Sequence, residues 1–372
     1  MQSSKSIIYK NNKKKCLVIC HFFSVYTKNF LINLKASLDI EFDLLTMDEN
    51  YRRDKISDSL NEVFIYKSLN EMKDILRDIK VYDIIHIHFL APFYGQVFNE
   101  IREKCTKLIV TVWGSDFYRT ISEDKKYQEK IIEVADNINF GNGDTLKEFD
   151  NFYNNRYSQK LSVCRFGLIQ LDYIKRFMKE GKDKIKKELK CPQNSIIITC
   201  GHNASPAQNH ILLIESLIRI KDKLPDRCYF LFPMTYGDGD IVNKVSEKLC
   251  ESGLKYMILD EFLSDEDVAK LRVISDIMIH VQTTDQLSGS MQEYLYAGNV
   301  VITGSWLPYE IFKNKDVYLL EVNRVEDVGE KVIYAIENLE KLIVNCEENK
   351  EKIWNMTSWK KVIDTWRNVY KE

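Results

Sequence analysis

The sequence predicts an α/β protein of two doubly wound domains facing a cleft, and three observations carry that prediction. From Cys16 to Cys164, short apolar runs alternate with helical patterns, and a second series of the same kind runs from Ser195 to Val322. Strand, helix, strand repeated in this way gives a parallel sheet with helices on both faces. Between the series, the stretch 168–192 is lysine-rich and weakly apolar, with Gly181 and Pro192, which marks a linker. A chain of 372 residues has room for two cores of ordinary size. The expected domains are therefore 1–167 and 193–345, joined by 168–192 and followed by a C-terminal helix in 346–372.

In the first series, CLVIC is followed by a helical pattern near Lys28–Leu38, FDLLTM by a charged connector, and EVFIY by SLNEMKDILRDI. DIIHIHF leads to a segment near Pro92–Lys104, KLIVTVW to the helical stretch Asp124–Ala135, and NINF to a helix near Thr145–Phe152 before LSVC. Ligands of such sheets bind beyond the C-terminal strand ends, so the residues there carry the functional reading. After CLVIC, His21, Ser24 and Tyr26 stand where an acceptor would be met, while Phe22 and Phe23 offer it an apolar face or simply pack in the core. His86 and His88 stand two apart, on one face of a strand. With no third ligand nearby, they read as hydrogen-bonded strand-end histidines rather than as a metal site. In TVWGSDFYR a strand runs into Trp113, Gly114, Ser115 and Asp116. The glycine permits close approach, and Asp116 either projects into a cleft or caps the following turn.

The second series opens with SIIITC, and the loop GHNASPAQNH joins it to a helix near Ile211–Lys221. Gly201, His202, Asn203, Ser205, Asn209 and His210 thus lie between a strand end and a helix start. Backbone N–H groups and Asn or Ser side chains there can bind diphosphate; the alternative is a polar turn that caps the helix. CYFLFP leads to MTYGDGD, where Asp238 and Asp240 imitate a metal clamp, but Gly237, Gly239 and the helical pattern that follows favour a turn with an N-cap. After KYMIL come Glu261, Phe262 and Leu263, and Ser264 then begins a capping pattern with acids in the first helical turn. DIMIHV puts His280 in a strand, VYLLEV adds another, and Trp359, Val362, Ile363, Trp366 and Tyr370 form a helical stripe.

The segment around which the chain is organised is DQLSGSMQEYLYAGNVVITGSW, Asp285 to Trp306. It reads as loop, short helix over Met291–Ala297, a stop at Gly298 and a buried strand Val300–Thr303. The helix N-terminus faces a loop holding Ser288, Gly289 and Ser290, which makes an anion cradle. Glu293, in the helix, is placed to take hydroxyls; in the plainer reading Asp285 is a turn acid and Glu293 a solvated helix acid.

This segment resembles the donor-binding signature of the GT-B glycosyltransferases, especially their family four: an acid, seven residues, a glutamate, a helix ending in Ala-Gly and an apolar strand. The resemblance implies two Rossmann-like domains, with a last helix that returns to brace the first through Trp354, Trp359 and Trp366. It implies that Glu293 holds the ribose of a nucleoside-diphosphate sugar and that Asp285, in place of the usual glutamate, lies near the donor sugar. It also implies that main chain at Phe262 and Leu263 holds the base. DIIHIHF and VTVWGSDF resemble the acceptor domain of these enzymes, which puts His88, Trp113, Gly114 and Ser115 on the acceptor side beside Ser24. Trp113 stands where many family-four members have a histidine, and the 201–210 loop lacks their Arg and Lys. WGSDFY and GHNASPAQNH are similar instead to the family of transferases that add 4-acetamido-4,6-dideoxygalactose to a lipid-linked intermediate of enterobacterial common antigen. That family inverts the anomeric centre, whereas family four retains it.

The expected function is metal-independent transfer of a hexosyl group, deoxy or acetamido forms included, to a sugar or lipid-linked acceptor in surface polysaccharide assembly. A UDP- or dTDP-sugar would be the co-substrate, with no cofactor; Asp116, His21 and Asp285 are the candidate catalytic residues. A nucleotide-sugar epimerase of the same architecture and a non-catalytic sugar- or partner-binding protein are the alternatives. A net charge of -2 gives no sign of nucleic-acid binding. Nine cysteines without a CxxC pair, no bilayer-length apolar run and no apolar core near the N-terminus predict a cytoplasmic protein with reduced thiols. Lys5, Lys10, Lys13, Lys14 and Lys15 form a basic cluster that is either a solvated leader or a contact for the anionic inner face of a membrane.

Overall fold

The computed structural model describes residues 13–49, 56 and 59–371. The chain divides into two compact units. One takes the chain up to Phe140, Asp150–Cys164 and the residues from Ile363 onward; the other takes Gly141–Phe149 and Arg165–Val362.

The first unit is a seven-stranded sheet made of β1 (Lys14–Cys20), β2 (Ile40–Thr46), β3 (Val63–Ile65), β4 (Tyr82–His88), β5 (Cys105–Val112), β6 (Asn137–Phe140) and β7 (Leu161–Val163). Its order is β3-β2-β1-β4-β5-β6-β7, and every pair is parallel. Helices α1 (Val25–Ser37), α2 (Leu69–Asp78), α3 (Phe98–Glu103), α4 (Ser115–Tyr118), α5 (Ser122–Val134) and α6 (Gly143–Phe152) intervene, the last running from the second unit into the first. Strands covered on both faces need continuous apolar runs, and Cys16–Cys20, Ile84–His88 and Leu108–Val112 are buried throughout. The order reverses between β1 and β4, which opens a crevice at their C-terminal ends.

The second unit begins with α7 (Gln170–Phe177) and α8 (Lys182–Glu188), so the stretch 168–192 is not a linker. Lysines dominate its composition, but Leu171, Ile174, Phe177 and Ile185 are buried beneath them, and α7 packs on α11 (Asp265–Ile274). Between these elements come β8 (Ile196–Cys200), α9 (His210–Arg219), β9 (Cys228–Pro233), α10 (Gly239–Cys250) and β10 (Tyr256–Leu259). After α11 follow β11 (Ile277–His280), α12 (Gly289–Ala297), β12 (Val300–Gly304), α13 (Glu310–Lys313) and β13 (Leu320–Val322). Helices α14 (Val328–Glu337), α15 (Leu339–Cys346), α16 (Asn349–Thr357) and α17 (Trp359–Lys371) complete the chain. The sheet is six-stranded and parallel, in the order β10-β9-β8-β11-β12-β13, with its reversal between β8 and β11.

Only part of the tryptophan stripe enters the first unit. Trp366 is fully buried there, its ring 4.8 Å from that of Phe30. The Tyr370 hydroxyl lies 2.8 Å from His86 Nδ1, and His86 Nε2 lies 2.7 Å from Thr111 Oγ1. His86 is therefore a hydrogen-bonded core histidine. Trp354 and Trp359 stay in the second unit, the first beside Tyr296 at 5.9 Å and the second against Gly167, where an added Cβ would meet its ring at 2.4 Å.

All nine cysteines are free, and only Cys250 is exposed. Among the described residues no helix is long and apolar enough to cross a membrane. Of the lysine cluster, Lys5 and Lys10 lie outside the described residues, and Lys13 pairs with Asp39 at 2.9 Å.

Candidate functional site

At the reversal in the second sheet, the loops after β8, β9 and β11 are tied to one another. Gly201 leaves β8 with φ 67, and a Cβ there would meet His210 Cε1 at 2.6 Å, so glycine is required by both conformation and space. The Gly201 N–H donates to the Ile279 carbonyl at 3.0 Å, Asn209 Nδ2 to the Val281 carbonyl at 2.7 Å, and the Thr283 N–H to the Ala207 carbonyl at 2.9 Å. On the other side Ala204 bridges Gly237, and Asn203 Nδ2 donates to the Tyr236 hydroxyl at 3.2 Å. His210 Nε2 lies 2.8 Å from the Asn203 carbonyl, which makes that nitrogen the donor.

These bonds correct part of the sequence reading. Asn209 spends its amide on Val281, and Ser205 Oγ accepts from the Ala207 N–H at 3.3 Å, so both side chains shape the loop rather than face a ligand. Asp238 caps α10, accepting from the Asp240 N–H at 2.9 Å, in line with the N-cap that the sequence favoured over a metal clamp. Phe262, on the loop between β10 and α11, is 85% exposed, and Leu263 is half-buried.

Helix α12 starts one loop away. Ser288 is its N-cap, accepting from the Met291 N–H at 3.2 Å, and Gly298 ends it with φ 84. That leaves the Gly289 and Ser290 N–H groups in the first turn, where no carbonyl of the helix can reach them. Ser290 is 7% exposed, and its Oγ has no hydrogen-bond partner among the described residues. One turn further, Glu293 is not a solvated helix acid: it is 6% exposed and accepts from Arg272 Nε at 3.0 Å. Arg272 Nη1 also donates to the Tyr294 hydroxyl at 2.8 Å, with the guanidinium 4.4 Å from the Tyr294 ring centre. Burial pushes the Glu293 carboxyl up, and Arg272 offsets part of that push. Sequence reasoning missed Arg272; the available signal was a lone arginine in the apolar last turn of α11, LRVI, since a buried cation requires a partner.

Asp285 sits in the loop before α12 with its side chain 18% exposed. The Tyr309 hydroxyl donates to its Oδ2, and His280 Nε2 lies 3.6 Å away. Burial alone would raise this carboxyl; the neighbouring His280 and the Tyr309 hydroxyl outweigh it and hold the group below the usual aspartate value. The His202 ring lies nearly parallel to that of His280, 5.8 Å away at 20°, and burial lowers His202 to about 3.

The crevice of the first sheet is lined by rings. His21, Phe22, Phe89, Phe93 and Trp113 meet edge-on, with His21 4.6 Å from Phe22 and 4.8 Å from Phe89. Phe89 has φ 72, an uncommon backbone for a bulky side chain. Burial lowers His21 to about 4, and its Nδ1 has no partner among the described residues. Gly114, with φ 97, turns the chain into α4 at Ser115.

Three readings change here. Asp116 is 2% exposed; its Oδ2 accepts from the Leu90 N–H at 2.7 Å and its Oδ1 from the Trp113 N–H at 2.9 Å, so it clamps two loops and does not face outward as a base would. Burial still raises its carboxyl to about 6. Ser24 is the N-cap of α1, accepting from the Thr27 N–H at 3.1 Å, and not an open acceptor contact. His88 is 0% exposed and turned into the core beside Thr27 Oγ1, at 3.4 Å, and Phe30.

Residues 16–140 match the family described as Glycosyl transferase 4-like. No curated protein matches the chain. Among solved structures, a glycosyltransferase from Rickettsia africae is similar at 18% identity and a TM-score of 0.76, over 97% of this chain and 98% of its own. Anabaena HepE in complex with UDP and glucose is similar at 11% identity and a TM-score of 0.74, over 96% and 99%. Sucrose-phosphate synthase from Thermosynechococcus elongatus is similar at 12% identity and a TM-score of 0.69, over 96% and 98%. The fold is that of the GT-B glycosyltransferases. In GT-B terms, the first unit carries the family match, and the second carries buried Glu293 and half-buried Asp285 about a helix N-terminus.

Proposed function

We propose that this chain is a glycosyltransferase that moves a hexosyl group from a UDP- or dTDP-linked donor to a sugar or lipid-linked acceptor in surface polysaccharide assembly. The observation that carries the reading is Glu293: a buried carboxylate, backed by Arg272, one turn into a helix whose N-terminus lies at the crevice of a parallel sheet. Glu293 takes the ribose hydroxyls. The Gly289 and Ser290 N–H groups, with the main chain of the 201–210 loop, take the diphosphate and stabilise its charge as it leaves. This leaving-group stabilisation is supplied by the protein itself, which is the basis for proposing metal independence. The support from relatives is that HepE is seen with UDP, with UDP and glucose and with UDP-glucose.

The acceptor is met by the half-buried rings around His21, Phe22 and Trp113. Because Asp116 is engaged by main chain and His21 is held at about 4, neither is a strong base near neutrality, and the reading favours retention, which needs no separate base. The WGSDFY likeness extends the proposal to deoxy and acetamido donors at an inner membrane face.

A panel of UDP- and dTDP-sugars, incubated with and without an acceptor extract, tests it. Transfer only with acceptor is expected; a free isomerised sugar nucleotide without acceptor would mean an epimerase. In calorimetry, Glu293→Gln should weaken UDP or dTDP binding by about tenfold. Parent-like affinity in that variant, or no binding by the parent, overturns the reading.

A further inference from the structure

We propose that Tyr309 is a positioning residue for Asp285, fixing that carboxylate in one orientation so that it accepts a hydroxyl of the donor sugar; the role rests on the donor reading above. Tyr309 follows β12 in a turn in which its N–H donates to the Leu307 carbonyl at 2.8 Å, and it is 2% exposed. Its hydroxyl has one hydrogen, and an ionised carboxylate only accepts, so that hydrogen goes to Asp285 Oδ2. His280 Nε2 lies 2.8 Å from the same hydroxyl oxygen and 3.3 Å from Gln282 Nε2, so the hydroxyl is held between the histidine ring and the carboxylate. His280 is 0% exposed, and its Nδ1 has no partner among the described residues. The rings of His280 and Tyr309 lie 6.0 Å apart at 24°, and the His202 ring lies 5.8 Å from that of His280 at 20°.

The assembly is therefore a buried backing for one carboxylate. Of the three bonded groups, Tyr309 and His280 are enclosed and Asp285 reaches the surface. Among the described residues the titratable groups beside it are His280 and Tyr309, with the His202 ring next to His280. A carboxylate so placed repels a diphosphate and accepts from hydroxyls, so the part of the donor it fits is the sugar. Aspartate has a short reach and two free torsions; without Tyr309 it would sample other rotamers.

Tyr309→Phe keeps the ring and removes the hydroxyl. On the full chain, calorimetry with UDP- and dTDP-hexoses, and with UDP and dTDP alone, should show sugar-nucleotide affinity falling by about tenfold while the nucleoside diphosphate stays within about twofold. Asp285→Asn should give the same selective loss, and adding Tyr309→Phe to it should cost nothing further, because the two act as one unit. A Tyr309→Phe variant with an unchanged ratio overturns the positioning role while leaving the donor reading intact. Equal weakening of both ligands, or additive losses in the double variant, overturns it as well. A parent protein that binds none of these probes fails the donor reading, and this role falls with it.

Discussion

At the crevice between β1 and β4 the lining is aromatic, and the candidate acid there, Asp116, is turned inward to bind the Leu90 and Trp113 N–H groups. At the crevice between β8 and β11 the lining is polar, with two acids, each held by a donor from another element: Glu293 by Arg272 and Asp285 by Tyr309. Both crevices come from the same reversal of strand order. The difference lies in what satisfies the carboxylates. Main-chain N–H groups close off both oxygens of Asp116 and make it part of the scaffold. At Glu293 and Asp285 the side-chain donors engage one oxygen of each carboxylate, which orients the acid. A ring-lined crevice suits a neutral, partly apolar ligand, and an acid-bearing one at a helix N-terminus suits a ligand with hydroxyls and phosphates.

The largest way to break this contrast is Arg272→Ala. It strands a buried carboxylate, and urea unfolding should show a loss of about 3–5 kcal/mol in the second unit. A loss below about 1 kcal/mol would mean that Glu293 is solvated after all.

Asp116→Asn sharpens the contrast through pH. The folded-state carboxyl is raised to about 6 from an ordinary 3.8, so the native state holds the proton more tightly than the unfolded chain. That contribution to stability is fully present below about pH 4 and is lost as pH rises through about 6, on the order of 3 kcal/mol in all. The difference in unfolding free energy between parent and Asp116→Asn should change across that window. A difference that is flat from pH 4 to pH 7 would show that Asp116 is solvated and open to the crevice. The smallest effect is Ser24→Ala, a lost helix cap worth about 1 kcal/mol with transfer activity kept. A large fall in activity at unchanged stability would return Ser24 to the acceptor site.

Much of the fold was legible because strands buried on both faces must be largely apolar, and CLVIC, LIVTV and IIITC are, with DIIHIHF adding two buried histidines. Ser264, Asp238 and Gly298 were legible for a related reason: a cap acts on its own turn, so residue type and position suffice. The stretch 168–192 was misread because composition counts its lysines, whereas burial depends on the spacing of Leu171, Ile174 and Phe177. Asp116 was left between two roles because one of its partners, the Leu90 N–H, lies 26 residues earlier in the chain.

By itself, then, the sequence determined the order of strands and helices, the placement of an acid-bearing loop and helix before β12, and the glycine that ends that helix. The tertiary structure decided which acids are held and by what: Arg272 reaches Glu293 from 21 residues away, and Tyr309 reaches Asp285 from 24. The physical reason is range. Periodicity and capping act within a few residues, whereas a buried carboxylate is settled by whichever donor the sheet topology brings to it.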